Sequence, residues 1–241
     1  MNIVKFFFIS IVLLCLACGE RKNPNGSRNQ PLSQKQKDSL LAKYKLKYAE
    51  PIFQTNSPSI IIPLSTRSYT SRKLYSSSSG SSGSYPRYWN ILFYNRSTGT
   101  SKLLTEEKYR INSLQANIKK AGVRLQKSIL YQSRIFDYNE DGKLNYLDPQ
   151  VLLISDTNGD KLKRISPKEE NLVSYSIVPE KDQIIIKTVR DNNENKVFES
   201  SDSTILYRID IAKNNQIVEI VNAQLRAKID NLHLEKWLPQ E

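Results

Sequence analysis

Between two apolar runs the chain reads Asp137-Tyr138-Asn139-Glu140-Asp141-Gly142-Lys143-Leu144-Asn145-Tyr146-Leu147-Asp148. Counted from Asp137, side-chain oxygens fall at positions 1, 3, 5, 9 and 12, with glycine at 6 and a hydrophobe at 8. Carboxylate and amide oxygens in alternation suit a hard cation such as calcium, which takes roughly six to eight oxygen ligands. The backbone carbonyl of Lys143 would add one more, Gly142 permits a sharp turn, and Leu144 would anchor the loop to a core. The same residue types also close polar turns through side-chain-to-backbone hydrogen bonds.

The pattern returns 54 residues later, from Asp191 to Asp202. Asp191, Asn193, Asn195, Glu199 and Asp202 repeat the oxygens, and Phe198 takes the hydrophobe's place. Lys196 replaces glycine where a positive φ is favoured and brings a like charge to any cation. The second loop reads as a degenerate copy and a second candidate metal site. Asp156, Asn158 and Asp160 also alternate, but no closing acid follows at the right spacing, so they read as a hairpin turn.

The first loop resembles the EF-hand calcium loop and, among its relatives, the dockerin-type loop, which accepts Asp at the last position. The resemblance implies a structural calcium ion held by Asp137, Asn139, Asp141, Lys143, Asn145 and Asp148. Its flanks read as strands, so the helix-opening switch of that family is not implied.

Other chemistry is thinly supplied. His233 is the sole histidine, both cysteines lie within the first 18 residues, and no glycine-rich phosphate loop or nucleophile elbow is present. His233 is expected to pack beside Trp237 at the domain edge. A carboxylate pair acting on envelope glycans or peptides is the competing enzyme reading. Tyr85, Tyr88 and Trp89 would suit sugar stacking or the start of a core strand. The expectation is a binding module, not an enzyme.

The elements that must position these residues are strands. Ile91–Tyr94, Val151–Ile154 and Ile205–Ile209 each run into a Gly- or Asn-bearing turn and then a second β run, which is hairpin grammar. Longer strands precede the latter two, at Ser128–Phe136 and Gln183–Val189, and the last unit reads as four strands near 172–178, 183–190, 204–211 and 216–221. The fold expected is mainly β: antiparallel four-stranded meanders of propeller-blade type, about two and a half units, with short helices at 34–48 and 223–230. The stretch Ser155–Pro167 resembles the WD-like repeat of periplasmic Tol-type β-propellers. Too few units are present to imply a closed ring. The apolar tail of Leu232, Leu234 and Trp237 is expected to pack on the domain.

Ahead of the strands, Phe6–Ala17 is an apolar run between Lys5 and Cys18. Twelve helical residues reach about 18 Å, short of the roughly 30 Å hydrocarbon layer, so the run reads as an export signal over 1–17. Ala17-Cys18 resembles the lipobox of bacterial lipoproteins, which implies that Cys18 is acylated and anchors the chain in the membrane. Gly19 after the cysteine favours the outer membrane by the rules of that family. Residues 18–56 then read as the lipidated tether, and 57–241 as the β domain with a Ser/Gly-rich loop at 65–84.

Charge follows this division. The net charge is +12, yet residues 18–88 carry 12 basic and 3 acidic side chains, whereas 131–241 carry 15 and 19. The basic excess sits near the anchor, where anionic head groups attract it. It is no stripe for nucleic acid. The partners expected are the membrane and an envelope protein or glycan.

Overall fold

The computed structural model describes residues 31–65 and 88–238. The expected signal, Cys18 and most of the Ser/Gly-rich loop lie outside the described residues.

Three antiparallel sheets carry the fold. The first contains β1 (Lys47–Tyr48), β2 (Ile52–Phe53), β3 (Ser59–Ser65), β4 (Asn90–Asn95) and β5 (Ser101–Leu103). β1 and β2 both pair with one edge of β3. The central sheet is β6 (Arg110–Gln115), β7 (Ser128–Arg134), β8 (Val151–Asp156) and β9 (Lys163–Arg164), in that order. The third is β10 (Glu170–Ile177), β11 (Gln183–Arg190), β12 (Ser203–Asp210) and β13 (Gln216–Glu219), again in order. The third meander stands where its hydrophobic pattern put it. The half unit becomes a whole sheet because β1 and β2, expected in the tether, join β3.

Alternation in the strands decides the stacking. In β8, Val151 and Leu153 enter one apolar cluster with Ile61, Ile91 and Phe93 of the first sheet. Leu152 and Ile154 enter another with Ile184, Ile186 and Tyr207 of the third. Side chains alternate across a strand, so a continuous apolar run means that both faces are covered. The central sheet is therefore the filling of a three-layer stack.

The turn at Asp156–Asp160 pins the first two layers together. The Asp156 carboxylate accepts from the backbone N–H groups of Asn158 and Asp160, both at 2.9 Å, and forms the expected hairpin turn. Asn158 Oδ1 accepts from Ser59 Oγ at 2.7 Å, and Gln54 Nε2 donates to the Thr157 carbonyl at 2.7 Å. Gly159 has φ +79°, and a Cβ there would lie 2.4 Å from the Phe93 ring. No larger residue fits while Phe93 keeps its place.

Three helices complete the described residues. α1 (Gln34–Lys43) starts with a reciprocal cap, in which Gln36 N–H donates to Ser33 Oγ and Ser33 N–H to Gln36 Oε1. It ends short of the expected 48, because Lys47 and Tyr48 are drawn into β1. α2 (Val123–Gln126) buries Leu125, whose N–H donates to Asp182 at 2.9 Å. α3 (Ala223–Lys236) is capped by Asn222, runs six residues beyond the expected end and buries nothing. The expectation that the tail packs on the domain is corrected: Leu234 is 60% and Trp237 80% exposed, and His233 is exposed too. Helical propensity and a good cap suffice to extend the helix, and its stripe of Leu225, Ile229 and Leu232, at i, i+4 and i+7, stays exposed at 42–46%. No helix among the described residues is long and apolar enough to cross a membrane.

Candidate functional site

The two oxygen-rich loops occupy equivalent places. Residues 135–150 connect β7 to β8 in the central sheet, and 191–202 connect β11 to β12 in the third. Adjacent meanders with equivalent strands put equivalent connections side by side.

Each loop is built by its own side chains. In the first, Asp137 accepts from the N–H groups of Asp141 at 3.2 Å and Gly142 at 2.8 Å. Asn139 Oδ1 also accepts from Asp141 N–H at 3.2 Å, and Asp141 Oδ1 from Lys143 N–H at 2.8 Å. Asp148 closes the ring: Oδ1 takes Tyr138 N–H at 2.9 Å, and Oδ2 takes Asn145 N–H at 2.6 Å. The second loop repeats these six bonds. Asp191 accepts from Asn195 and Lys196, Asn193 from Asn195, Asn195 from Val197, and Asp202 from Asn192 and Glu199.

A seventh bond keeps its place and reverses its polarity. Asn145 Nδ2 donates to Asp141 in the first loop, and Asn195 Nδ2 donates to Glu199 in the second. Amide and carboxylate have exchanged positions 5 and 9. The backbone agrees as well: Glu140 and Glu194 have φ +58° and +56°, and Gly142 and Lys196 have +77° and +63°. Lys196 thus adopts the left-handed conformation that its sequence position demanded of glycine, at a cost of about 1 kcal/mol. The Asp191 bonds to residues 195 and 196 hold it there.

The loops also touch. Tyr138 stacks on Phe198 with ring centroids 5.3 Å apart, and its hydroxyl donates to Asp191 Oδ2 at 3.1 Å. Burial first, and then the Asp191 carboxylate, push the Tyr138 hydroxyl up to about 12. Lys196 reaches across to Glu140 at 2.7 Å. Beneath the first loop, Arg134 Nε donates to the Asp148 carbonyl at 2.7 Å, and Arg110 to that of Leu144 at 3.3 Å.

The donor set of the first loop fits a hard cation in kind. Asp137 Oδ1 and Asn139 Oδ1 share one N–H, so both oxygens converge inside the turn. Among the described residues no three His, Cys, Asp or Glu side chains form a metal-holding group. The amides of Asn139 and Asn145 and the Lys143 carbonyl would have to complete the shell. Calcium would supply fixed positive charge to this ring of oxygens.

Sequence reasoning missed a second polar centre. Glu170, 4% exposed, accepts from Thr188 Oγ1 at 2.6 Å, Arg190 Nε at 2.9 Å and Tyr207 Oη at 2.8 Å. Burial and then the Glu170 bond push Tyr207 up to about 12. These four residues lie on three neighbouring strands, and nothing in their spacing announces the network. Tyr88 bridges to Ile111 and packs partly against the core, whereas Trp89 is 37% exposed. No protein-family model matches the chain, and no curated protein matches it.

Proposed function

We propose that the protein is a lipid-anchored binding or scaffolding module of the bacterial cell envelope, with the outer membrane its favoured site. The anchor is acylated Cys18, and the 137–148 loop holds one structural calcium ion. The observation that carries the reading is the matched hydrogen-bond frame of two adjoining loops, one of which keeps both the glycine and the oxygen ring suited to calcium. A cation there stiffens a connection between strands and leaves no open position for activating water, which favours holding a surface in shape over hydrolysis.

The ligand class is an envelope protein or glycan reached from a basic tether. Proximity labelling in intact cells tests this. The full chain is expected to label a defined set of envelope neighbours, and Cys18→Ala to lose it while moving to the soluble fraction. Turnover of purified peptidoglycan, abolished by one Asp or Glu substitution that leaves melting unchanged, overturns the reading in favour of a carboxylate-pair hydrolase.

A further inference from the structure

The stack has two junctions between sheets, and the repeated register lets them be matched residue by residue. Ser59 pairs with Asn95 across β3 and β4, as Ser128 pairs with Asp156 across β7 and β8. Lys102 of β5 pairs with Phe93, as Lys163 of β9 pairs with Ile154. Phe93 packs against the central sheet and Ile154 against the third, so Lys102 and Lys163 hold the same place on successive junctions. The turns facing them correspond too. Asp156 and Asp210 each accept, through Oδ1, from the N–H two residues on, that of Asn158 and of Ala212.

At the first junction the donors meet acceptors of the chain itself. Ser59 Oγ donates to Asn158 Oδ1 at 2.7 Å, and Lys102 pairs with Asp160. At the second junction the donors are kept and these acceptors are gone. Ala212 stands where the other turn has Asn158, and Asn214 where it has Asp160. Ser128 Oγ turns back to the Arg124 carbonyl at 2.7 Å. A cleft of about 490 Å³ lies at this junction, lined by both Lys163 and Asn214. Arg124, Lys127 and Lys161 line it as well, and no ion pair among the described residues involves any of the four cations. Asp156 is the one acid among its described lining residues, and Oδ1 of that carboxylate is engaged by the N–H groups of Asn158 and Asp160. Buried Ile154 and Ile211 give the cleft an apolar patch.

We propose that this cleft is a phosphate site, in which a phosphate monoester supplies the acceptor that the chain lacks beside Lys163. The reading stands apart from the envelope role and from calcium, because the oxygen loops join the opposite ends of the same strands. Four cations and one carboxylate leave the lining with a formal excess of three positive charges. A phosphate monoester carries roughly −1.5 to −2 at pH 7 and three acceptor oxygens, so it balances this wall better than a single carboxylate does. Its bonds from lysine and arginine are charge-assisted, and the Arg124 guanidinium can offer two in parallel. The carbon end of the ester meets Ile154 and Ile211. A soluble sugar phosphate and a phosphatidate headgroup share this chemistry.

The test is calorimetric titration of the full chain in neutral detergent, without calcium, using glucose 6-phosphate, short-chain phosphatidate and plain glucose. Heat is expected with a phosphate compound and none with glucose. The phosphate compound that binds more tightly names the source. Asn214→Asp places beside Lys163 the acid found at the first junction. Asn214 is exposed with φ +53°, a conformation that Asp also accepts. This variant and Lys163→Gln are each expected to weaken binding at least about tenfold. Lys187→Gln, at an exposed site on β11, changes net charge as much and is expected to leave binding unchanged. Four outcomes overturn the proposal: no heat from either phosphate compound, equal heat from glucose, parental binding by Asn214→Asp, or an equal loss with Lys187→Gln. Arg124→Gln, a change at an exposed residue outside the sheets, gives the same answer if a turn or strand variant misfolds.

Discussion

Loops 137–148 and 191–202 share six backbone hydrogen bonds and two left-handed residues, and they differ in depth, in the residue at position 6 and in what holds them below. Asp148 is 2% exposed and lies over two arginines of the central sheet, while Asp202 is only half-buried. Gly142 faces open space, and Lys196 spends its charge on Glu140 of the other loop. The shape of such a loop therefore comes from its side-chain-to-backbone bonds, since Lys196 and the swapped pair Asn195–Glu199 preserve it. On the calcium reading, capacity for a cation is a separate property, and the like charge of Lys196 at position 6 is what would oppose it.

The largest break in the comparison is at the closing acids. Asp148→Ala removes a buried carboxylate and leaves the half-buried N–H groups of Tyr138 and Asn145 without it, and is expected to cost about 3 kcal/mol. Asp202→Ala, where water can replace the carboxylate, is expected to cost about 1 kcal/mol. Urea unfolding of both variants measures the gap, and equal losses would show that depth is not what separates the loops.

Next comes the contact between them. Asp191→Ala removes two N–H acceptors and the Tyr138 partner, for about 2 kcal/mol. In a double-mutant cycle, Tyr138→Phe with Asp191→Asn is expected to show a coupling of about 0.5–1 kcal/mol. A coupling near zero would make the loops neighbours without mutual support.

Exchanging position 6 is a smaller perturbation to stability and the sharpest one for calcium. Lys196→Gly relieves the left-handed conformation and loses a surface ion pair, so stability should stay within about 1 kcal/mol of the parent. On the calcium reading, Gly142→Lys abolishes the calcium-dependent rise in melting temperature and Lys196→Gly adds a second binding event. Calorimetric titration reads both. At calcium one hundred times Kd the parent gains about 2.7 kcal/mol by mass action. No heat from the parent would end the reading.

The smallest effect is alkaline. Tyr138 and Tyr207 ionise near 12 in the folded chain against about 10 when unfolded, so the fold favours their neutral forms. Their contribution is complete below pH 10 and is lost as pH rises towards 12. Melting followed between pH 9 and 12 is expected to fall less steeply in Tyr207→Phe, and still less so in the double Phe variant. An unchanged slope would mean that neither hydroxyl is held.

Much of this was legible because it is local. Alternating oxygens at 137–148 and 191–202 dictate Asx-type bonds within each loop, and the three hairpin turns announce themselves through Asn95, Asp156 and Asp210. The first sheet was read as half a unit because two-residue strands such as Lys47–Tyr48 and Ile52–Phe53 carry no period. They are strands only because β3 offers an unpaired edge. The exposure of α3 is not legible in the sequence: Leu225, Ile229 and Leu232 form one apolar stripe, and only the tertiary structure shows that it stays exposed.

What the sequence by itself determined is the set of strands, the turns between them and the inner wiring of each oxygen loop, since all depend on residues within about a dozen positions of one another. Tertiary structure alone decided that Val151–Ile154 is covered on both sides and that Tyr138 meets Asp191. It alone set Glu170 among Thr188, Arg190 and Tyr207, and left Phe53 and Leu103 exposed. Those relations join residues tens of positions apart, and their geometry exists only once the sheets have stacked. Periodicity says which side chains seek cover. The packed sheets determine what covers them.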